Sequence, residues 1–338
     1  MSASSLKGAL LEYIVRRLLI NCGFTRVIPD GLMIFSRGRL TMINGKGAAH
    51  DADVLMNPPI QIPFSYPSRI NFECKAYNRP IGLTIIRNAL GLRYDLNEFE
   101  IVTRHHLKER QKNRRSRLAI DNRQRYNYQV GVASVENFTK PAFEFAANNK
   151  IPLISLRWFL PKNICDSFHL ITDAYLGRFV KQELDELYDF LKSSSQEENF
   201  SHDRVQQSIF GEILNAVSDY ENRISVGLLE SGDFLFLIAQ NRRLKDYLSN
   251  TNRAFHAQFH YLNRDLDYWT LTIDEEVEAG FYLPKNIISM WKDQNFSAQA
   301  AINIKQKLFA KMFVFVNTGE FPFRMLHIDK EWLQSISE

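Results

Sequence analysis

Apolar residues recur at helical spacing from the start of the chain, where Leu6, Leu10, Leu11, Ile14, Val15, Leu18 and Leu19 form one stripe, with Ser4 or Ser5 as N-cap and Gly23 just past the end. The pattern predicts a core-facing helix over Leu6 to Asn21. Glu12 lies beside that stripe, one turn before Arg16, and on spacing alone reads as half of an i,i+4 surface ion pair. Between Thr25 and Met42 two alternating runs flank Pro29-Asp30-Gly31, which predicts a hairpin turning at those residues. From His50 to Ala76 the pattern gives two short strands, Asp53 to Met56 and Arg69 to Ala76. Pro58, Pro59, Pro63 and Pro67 lie between them and exclude a helix. Alternation puts Asn71, Glu73 and Lys75 on one strand face and Phe72, Cys74 and Ala76 on the other. With the first strand paired beside the second, Asp53 approaches Glu73 and Lys75, and two carboxylates with an ammonium suit a hard divalent cation. Asp51 falls on the same face as Asp53, so register leaves both open as ligands.

Further on, Ile81 to Tyr94 has helical spacing, Tyr128 to Val135 reads as a strand, Thr139 to Asn149 as a helix capped by Thr139, and Ile151 to Leu156 as a buried strand. Strands alternating with helices predict an α/β core. Pro161 is the expected boundary, giving a first domain over 1–160 and a second α/β or α+β domain over 161–338. In the second part Asp166 to Leu191 looks helical and 193–199 is a polar linker. Ile224–Leu229, Asp233–Ala239, Trp269–Ile273 and Met312–Val316 read as strands, and Asn303 to Lys311 as a basic helix. His256 and His260 have the i,i+4 spacing of a helical metal pair. They lack an intervening Glu and a third ligand, and read better as two partly buried helix histidines.

Composition narrows the class. With 338 residues, 45% hydrophobic and 24% charged, the chain has room for two globular domains, and no apolar run approaches the roughly 20 residues of a membrane helix. Neither a secretory signal nor a disulfide framework is expected from the N-terminus and the three cysteines Cys22, Cys74 and Cys165, so a cytoplasmic protein with reduced thiols is. Charge changes the picture more. Arg104, Lys108, Arg110, Lys112, Arg114, Arg115, Arg117, Arg123 and Arg125 face only Glu109 and Asp121, a local balance of +7 that leaves −3 for the rest of a chain of net charge +4. Such a segment is the footprint expected of a polyanion contact, with Tyr126 and Tyr128 beside it as stacking or core aromatics.

An Asp, a spacer and then Glu-x-Lys on a following strand, here Asp53…Glu73-Cys74-Lys75, resembles the PD-(D/E)XK nuclease superfamily. Gly8-Ala9-Leu10-Leu11-Glu12 ending at Cys22-Gly23-Phe24, His50-x-x-Asp53-Val54-Leu55, Gly131-Val132-Ala133-Ser134, Phe138-Thr139-Lys140-Pro141-Ala142 and Ile151-Pro152-Leu153-Ile154 are similar to Mrr-like restriction endonucleases over roughly residues 5–157. The literal Pro-Asp pair is absent, since Ala52 precedes Asp53. The resemblance implies a restriction-endonuclease-like core, a mixed central sheet flanked by helices. It implies Mg2+ or Mn2+ held by Asp53, Glu73 and the backbone carbonyl of Cys74, Lys75 at the attacking water, and Glu12 as an extra acidic group. His50 and Arg87 are then candidate phosphate contacts, alongside Arg104, Lys108, Arg110, Lys112, Arg114, Arg115 and Arg117 of the basic segment. The activity expected is metal-dependent DNA endonuclease cleavage in restriction or anti-phage defence, by a homodimer or with a partner subunit. A non-catalytic nucleic-acid-binding subunit on a nuclease fold is the alternative.

Overall fold

A computed structural model describes residues 1–31, 33–61, 65–98, 125–193, 200, 202–230, 233–239, 243–249, 253–262, 265–316 and 322–336. The apolar stripe at the N-terminus becomes helix α1 (Ala3–Asn21), whose Ser2 side chain accepts the Ser5 N–H. A five-stranded sheet follows in the order β1 (Thr25–Arg26), β5 (Val54–Asn57), β6 (Ser68–Lys75), β7 (Asn127–Ser134), β8 (Leu153–Ser155). Strands β1, β5 and β6 pair antiparallel, while β6, β7 and β8 run parallel. Parallel neighbours need a crossover. Helix α2 (Leu83–Asn97) lies between β6 and β7, and α3 (Lys140–Asn148) between β7 and β8. Alternation on β6 does as expected: Ile70, Phe72 and Cys74 enter the α1 side of the core, and the opposite face of the sheet packs Leu55, Val130 and Val132 against Ile86 and Ala89 of α2.

The expected hairpin forms elsewhere. Strand β1 pairs with β5, and the tight turn is Arg37-Gly38-Arg39-Leu40, joining β2 (Ile34–Arg37) to β3 (Leu40–Asn44), with Gly38 at φ +62°. Pro29-Asp30-Gly31 is instead the link between two sheets, its Asp30 carboxylate capping the Ile34 N–H. Strand β4 (Ala49–Asp51) completes the small sheet by pairing with β3.

The apolar cluster around α1 does not stop at Pro161, where the sequence suggested a boundary. A short 3-10 turn, Leu156–Trp158, leads into α4 (Lys162–Leu170), α5 (Asp173–Leu176), α6 (Lys181–Lys192), α7 (Asp203–Gln206) and α8 (Ile209–Glu221), and their Ile164, Phe168, Leu187 and Phe210 share one core with Leu6, Leu10 and Leu18. The single helix expected over 166–191 is three, because Thr172 caps α5 and Glu183 accepts the Val180 N–H at the start of α6.

The four strands expected beyond residue 220 all form, within a closed seven-stranded barrel. It runs β10 (Phe234–Ala239), β13 (Val277–Tyr282), β12 (Asp265–Ile273), β11 (Phe255–Leu262), β15 (Phe323–Ile328), β14 (Lys311–Phe315), β9 (Ile224–Leu229). Helices α9 (Arg243–Ser249), α10 (Lys285–Lys292), α11 (Ala298–Leu308) and α12 (Lys330–Ser335) accompany it. His256 and His260 lie on strand β11, not on a helix, and both are exposed. The segment read as a basic helix is α11, ending before Lys311, and its Lys305 is buried under Trp332, Tyr261 and Trp269 with ring centroids 4.8–5.7 Å from the ammonium.

Strand β7 carries a glycine where the strand beside it needs room. A Cβ at Gly131 would lie 2.5 Å from the Phe72 ring and 2.8 Å from the Pro152 carbonyl oxygen. Gly131→Ala is therefore expected to destabilise by about 1–3 kcal/mol through overpacking. Urea unfolding midpoints check it, and an unchanged midpoint would show that β7 shifts without cost.

Candidate active site

Strand β5 starts one residue after Asp53, and β6 ends at Lys75, so the antiparallel pair Val54 with Phe72 brings the end of one against the start of the other. The Asp53 carboxylate accepts the Cys74 N–H at 2.8 Å. Lys75 Nζ stands 3.0 Å from Glu73 Oε2 and 4.0 Å from Asp53 Oδ2. The two carboxylates and the ammonium read from the sequence are thus brought together, each with a partly buried side chain.

The chain changes sheets between the two aspartates that alternation could not separate. Asp51 ends β4 in the small sheet and is exposed, Ala52 is buried, and Asp53 turns into the cluster. Repulsion still reaches it: although much of the side chain meets solvent, partial desolvation and then the Asp53 carboxylate push the Asp51 carboxyl up.

Glu12 is not half of a surface pair. Both Glu12 and Arg16 are buried, Arg16 donates to the Leu191 carbonyl, and the Glu12 carboxylate accepts from Lys192 Nζ at 2.5 Å. Lys192 closes α6, so a helix from far along the chain lays an ammonium over α1. Burial first, then repulsion from Asp53, pushes the Glu12 carboxyl up to about 7 even though Lys192 pulls it down. Burial and Glu73 raise Asp53 in the same way, against the Cys74 N–H and Lys75. Burial disfavours the Lys75 ammonium, but Glu73 and Asp53 outweigh it and its pKa rises. Glu12, Asp53, Glu73, Lys75 and Lys192 form one electrostatic unit. No signal in the sequence pointed to Lys192.

Cys74 presents its thiol to the α1 core, where burial raises its pKa well above normal. Thiolate ligation is therefore disfavoured, and only its backbone belongs to the site. His50 donates from Nε2 to Asp95 of α2 at 2.6 Å, and Asp95 also accepts the Gly47 N–H, so this histidine anchors the entry loop to α2. Arg87 is exposed on α2, its guanidinium 5.7 Å from the Phe145 ring. Arg93 donates to the Asn149 carbonyl at 2.8 Å and ties α2 to the end of α3. Arg104, Lys108, Arg110, Lys112, Arg114, Arg115 and Arg117 lie outside the described residues.

No family model matches the chain, and no curated protein does. A crystal structure of a protein of unknown function aligns with 62% of this chain and 98% of its own at 16% identity and a TM-score of 0.33, too distant to bear on fold or activity.

Among the described residues no three His, Cys, Asp or Glu side chains form a ready metal cage. The donor set is nonetheless oxygen-rich, and carboxylates whose ionisation is opposed by burial and by each other gain from a cation between them. Magnesium keeps several waters and needs one or two carboxylates, a number that Asp53 and Glu73 would meet.

Proposed function

We propose that the chain is a metal-dependent DNA endonuclease of the PD-(D/E)XK kind, acting in restriction or anti-phage defence. The observation that carries the reading is the convergence of Asp53, Glu73 and Lys75 at the meeting of β5 and β6, with Glu12 coupled to them from α1. Asp53, Glu73 and the Cys74 carbonyl would hold Mg2+ or Mn2+, which when bound polarises a scissile phosphate and acidifies the attacking water. Lys75 is held protonated by its carboxylate neighbours, so it orients that water and steadies negative charge rather than removing a proton. Glu12, with its pKa of about 7, is suited to accept a proton near neutrality.

A structural network is the competing reading, favoured by the direct pairing of Lys75 with Glu73 and of Lys192 with Glu12. Incubating supercoiled plasmid with protein and magnesium or manganese, beside a chelator control, separates the two. Metal-dependent nicking is expected, and an intact plasmid under both metals supports the structural network.

The basic segment is assigned the affinity rather than the chemistry. Replacing Arg114, Arg115 and Arg117 by Gln in a cleavage-dead background should weaken binding to all sequences alike. The slope of log affinity against log salt should become shallower by up to about 3, since each phosphate contact contributes about 0.9. An unaltered slope places the DNA path on another surface.

A further inference from the structure

Away from the carboxylates, a cavity of about 450 Å³ opens between the five-stranded sheet and the barrel. Its inner wall is aromatic. Trp158 stands at the centre, 6.0 Å from Phe138, 6.0 Å from a nearly parallel Phe143 and 6.4 Å from Phe236 of β10, measured between ring centroids. The rim is polar, with the exposed side chain of Asn137, and with Lys150 facing Asp233 at 3.7 Å. The volume is that of a small-molecule site, and an apolar pocket with a few convergent polar groups is the arrangement such sites share.

Its position ties it to the cluster. In the parallel trio Lys75 lies opposite Ser134, and Ser134 opposite Ser155. Strands about 4.8 Å apart put Lys75 and Ser155 about 10 Å from each other along one edge. Asn137 and Phe138 leave β7 at that edge, and Arg157 and Trp158 leave β8 there. Arg157 is pinned by Glu136 at 2.5 and 2.8 Å and by Asp166 at 2.7 Å, which fixes the backbone carrying Trp158. A polynucleotide whose phosphate lies at Lys75 therefore passes the cavity mouth within a few nucleotides.

We infer that this cavity receives a nucleobase unstacked from the strand, its faces against the Trp158 wall and its edge towards Asn137. Flat aromatic rings bind any base through its π-face, whereas Asn137, whose Oδ1 accepts from Ser155 Oγ at 3.3 Å, can offer the base edge its amide N–H and the second lone pair of that oxygen. The inference rests on the nucleic-acid reading above, but its test needs no cleavage.

Thymidine and adenosine 5′-monophosphates, with ribose 5-phosphate as the baseless control, are titrated calorimetrically into the full chain without metal. Both nucleotides should bind and the control should not. Phe143→Ala and Trp158→Ala should each weaken nucleotide binding by roughly 5- to 150-fold, the range of a lost base–aromatic stack. Asn137→Ala should change the ratio between the two nucleotides. Plasmid cleavage is read separately on the same wild-type preparation, so that a cleavage failure and a pocket failure are told apart. Equal binding of nucleotides and ribose 5-phosphate overturns the inference, as does undiminished binding by Phe143→Ala with a native circular dichroism spectrum. If Trp158→Ala does not fold, Phe143→Ala decides.

Discussion

Glu73→Gln is expected to lower magnesium-dependent plasmid cleavage at least about 100-fold, the loss typical of removing one charge-stabilising group from a reaction centre. The substitution keeps the shape of the side chain and a partner for Lys75, which sits 3.0 Å away, so the strand pair should hold. Under the proposed chemistry Lys75→Ala should cost a similar factor, because the attacking water and the phosphate would lose an ammonium. With the basic segment proposed to supply duplex affinity, that affinity should barely change in either variant. Asp53→Asn should match these losses and Asp51→Asn should not, since only Asp53 accepts the Cys74 N–H and lies within 4.0 Å of Lys75. Single-turnover cleavage rates on one plasmid preparation provide the measurement. An active Asp53→Asn beside a dead Asp51→Asn would move the ligand to the small sheet, and full activity in both Glu73→Gln and Lys75→Ala would remove the assignment altogether.

The second large effect concerns stability. Lys192→Met should destabilise the fold by about 3–5 kcal/mol at pH 8, because it strands the buried Glu12 carboxylate without its partner. The loss should shrink on acidification. Glu12 is a carboxyl whose folded pKa, about 7, exceeds its ordinary value of 4.5, so its ionisation penalty is absent below pH 4.5 and sets in as the pH rises towards 7. In wild type that penalty amounts to about 3 kcal/mol. Removing Lys192 takes away two influences that lower this pKa, extending the penalty upward in pH. The double variant Glu12→Gln/Lys192→Met should recover much of the stability, since neither charge is left alone. Urea titrations at pH 5 and pH 8 report the difference. A loss of the same size at both pH values would mean that Lys192 acts through packing alone.

What could be read from the chain was what local periodicity encodes. The period-two pattern of Arg69 to Ala76 placed Glu73 and Lys75 on one face, and the structure puts them there in contact. The α/β alternation up to Ile154 was legible for the same reason. Pairing choices were not. Asp30 and Gly31 have turn chemistry, but β1 found a longer partner in β5 and the hairpin moved to Gly38. His256 and His260 matched a helical spacing, yet Phe255, Ala257 and Phe259 alternate around them as buried strand residues, and period two prevailed. The burial and pairing of Glu12 were hidden because its partner, Lys192, lies 180 residues away.

That separation has a further consequence, in time. Helix α1 is made first, but the helices that cover it, α4, α6 and α8, belong to the stretch 162–221. At a ribosomal rate of roughly 5–20 residues per second, the 180 residues between Glu12 and Lys192 take on the order of 10–35 s to synthesise. Through that interval Leu6, Leu10 and Leu18 lack the cover of these helices and Glu12 lacks its Lys192 partner, so a nascent chain halted near Pro161 presents an apolar helix with a carboxylate set into it. Such a chain exposes the kind of apolar surface that chaperones bind, and the Glu12–Lys192 pair closes only after α6 has left the ribosome.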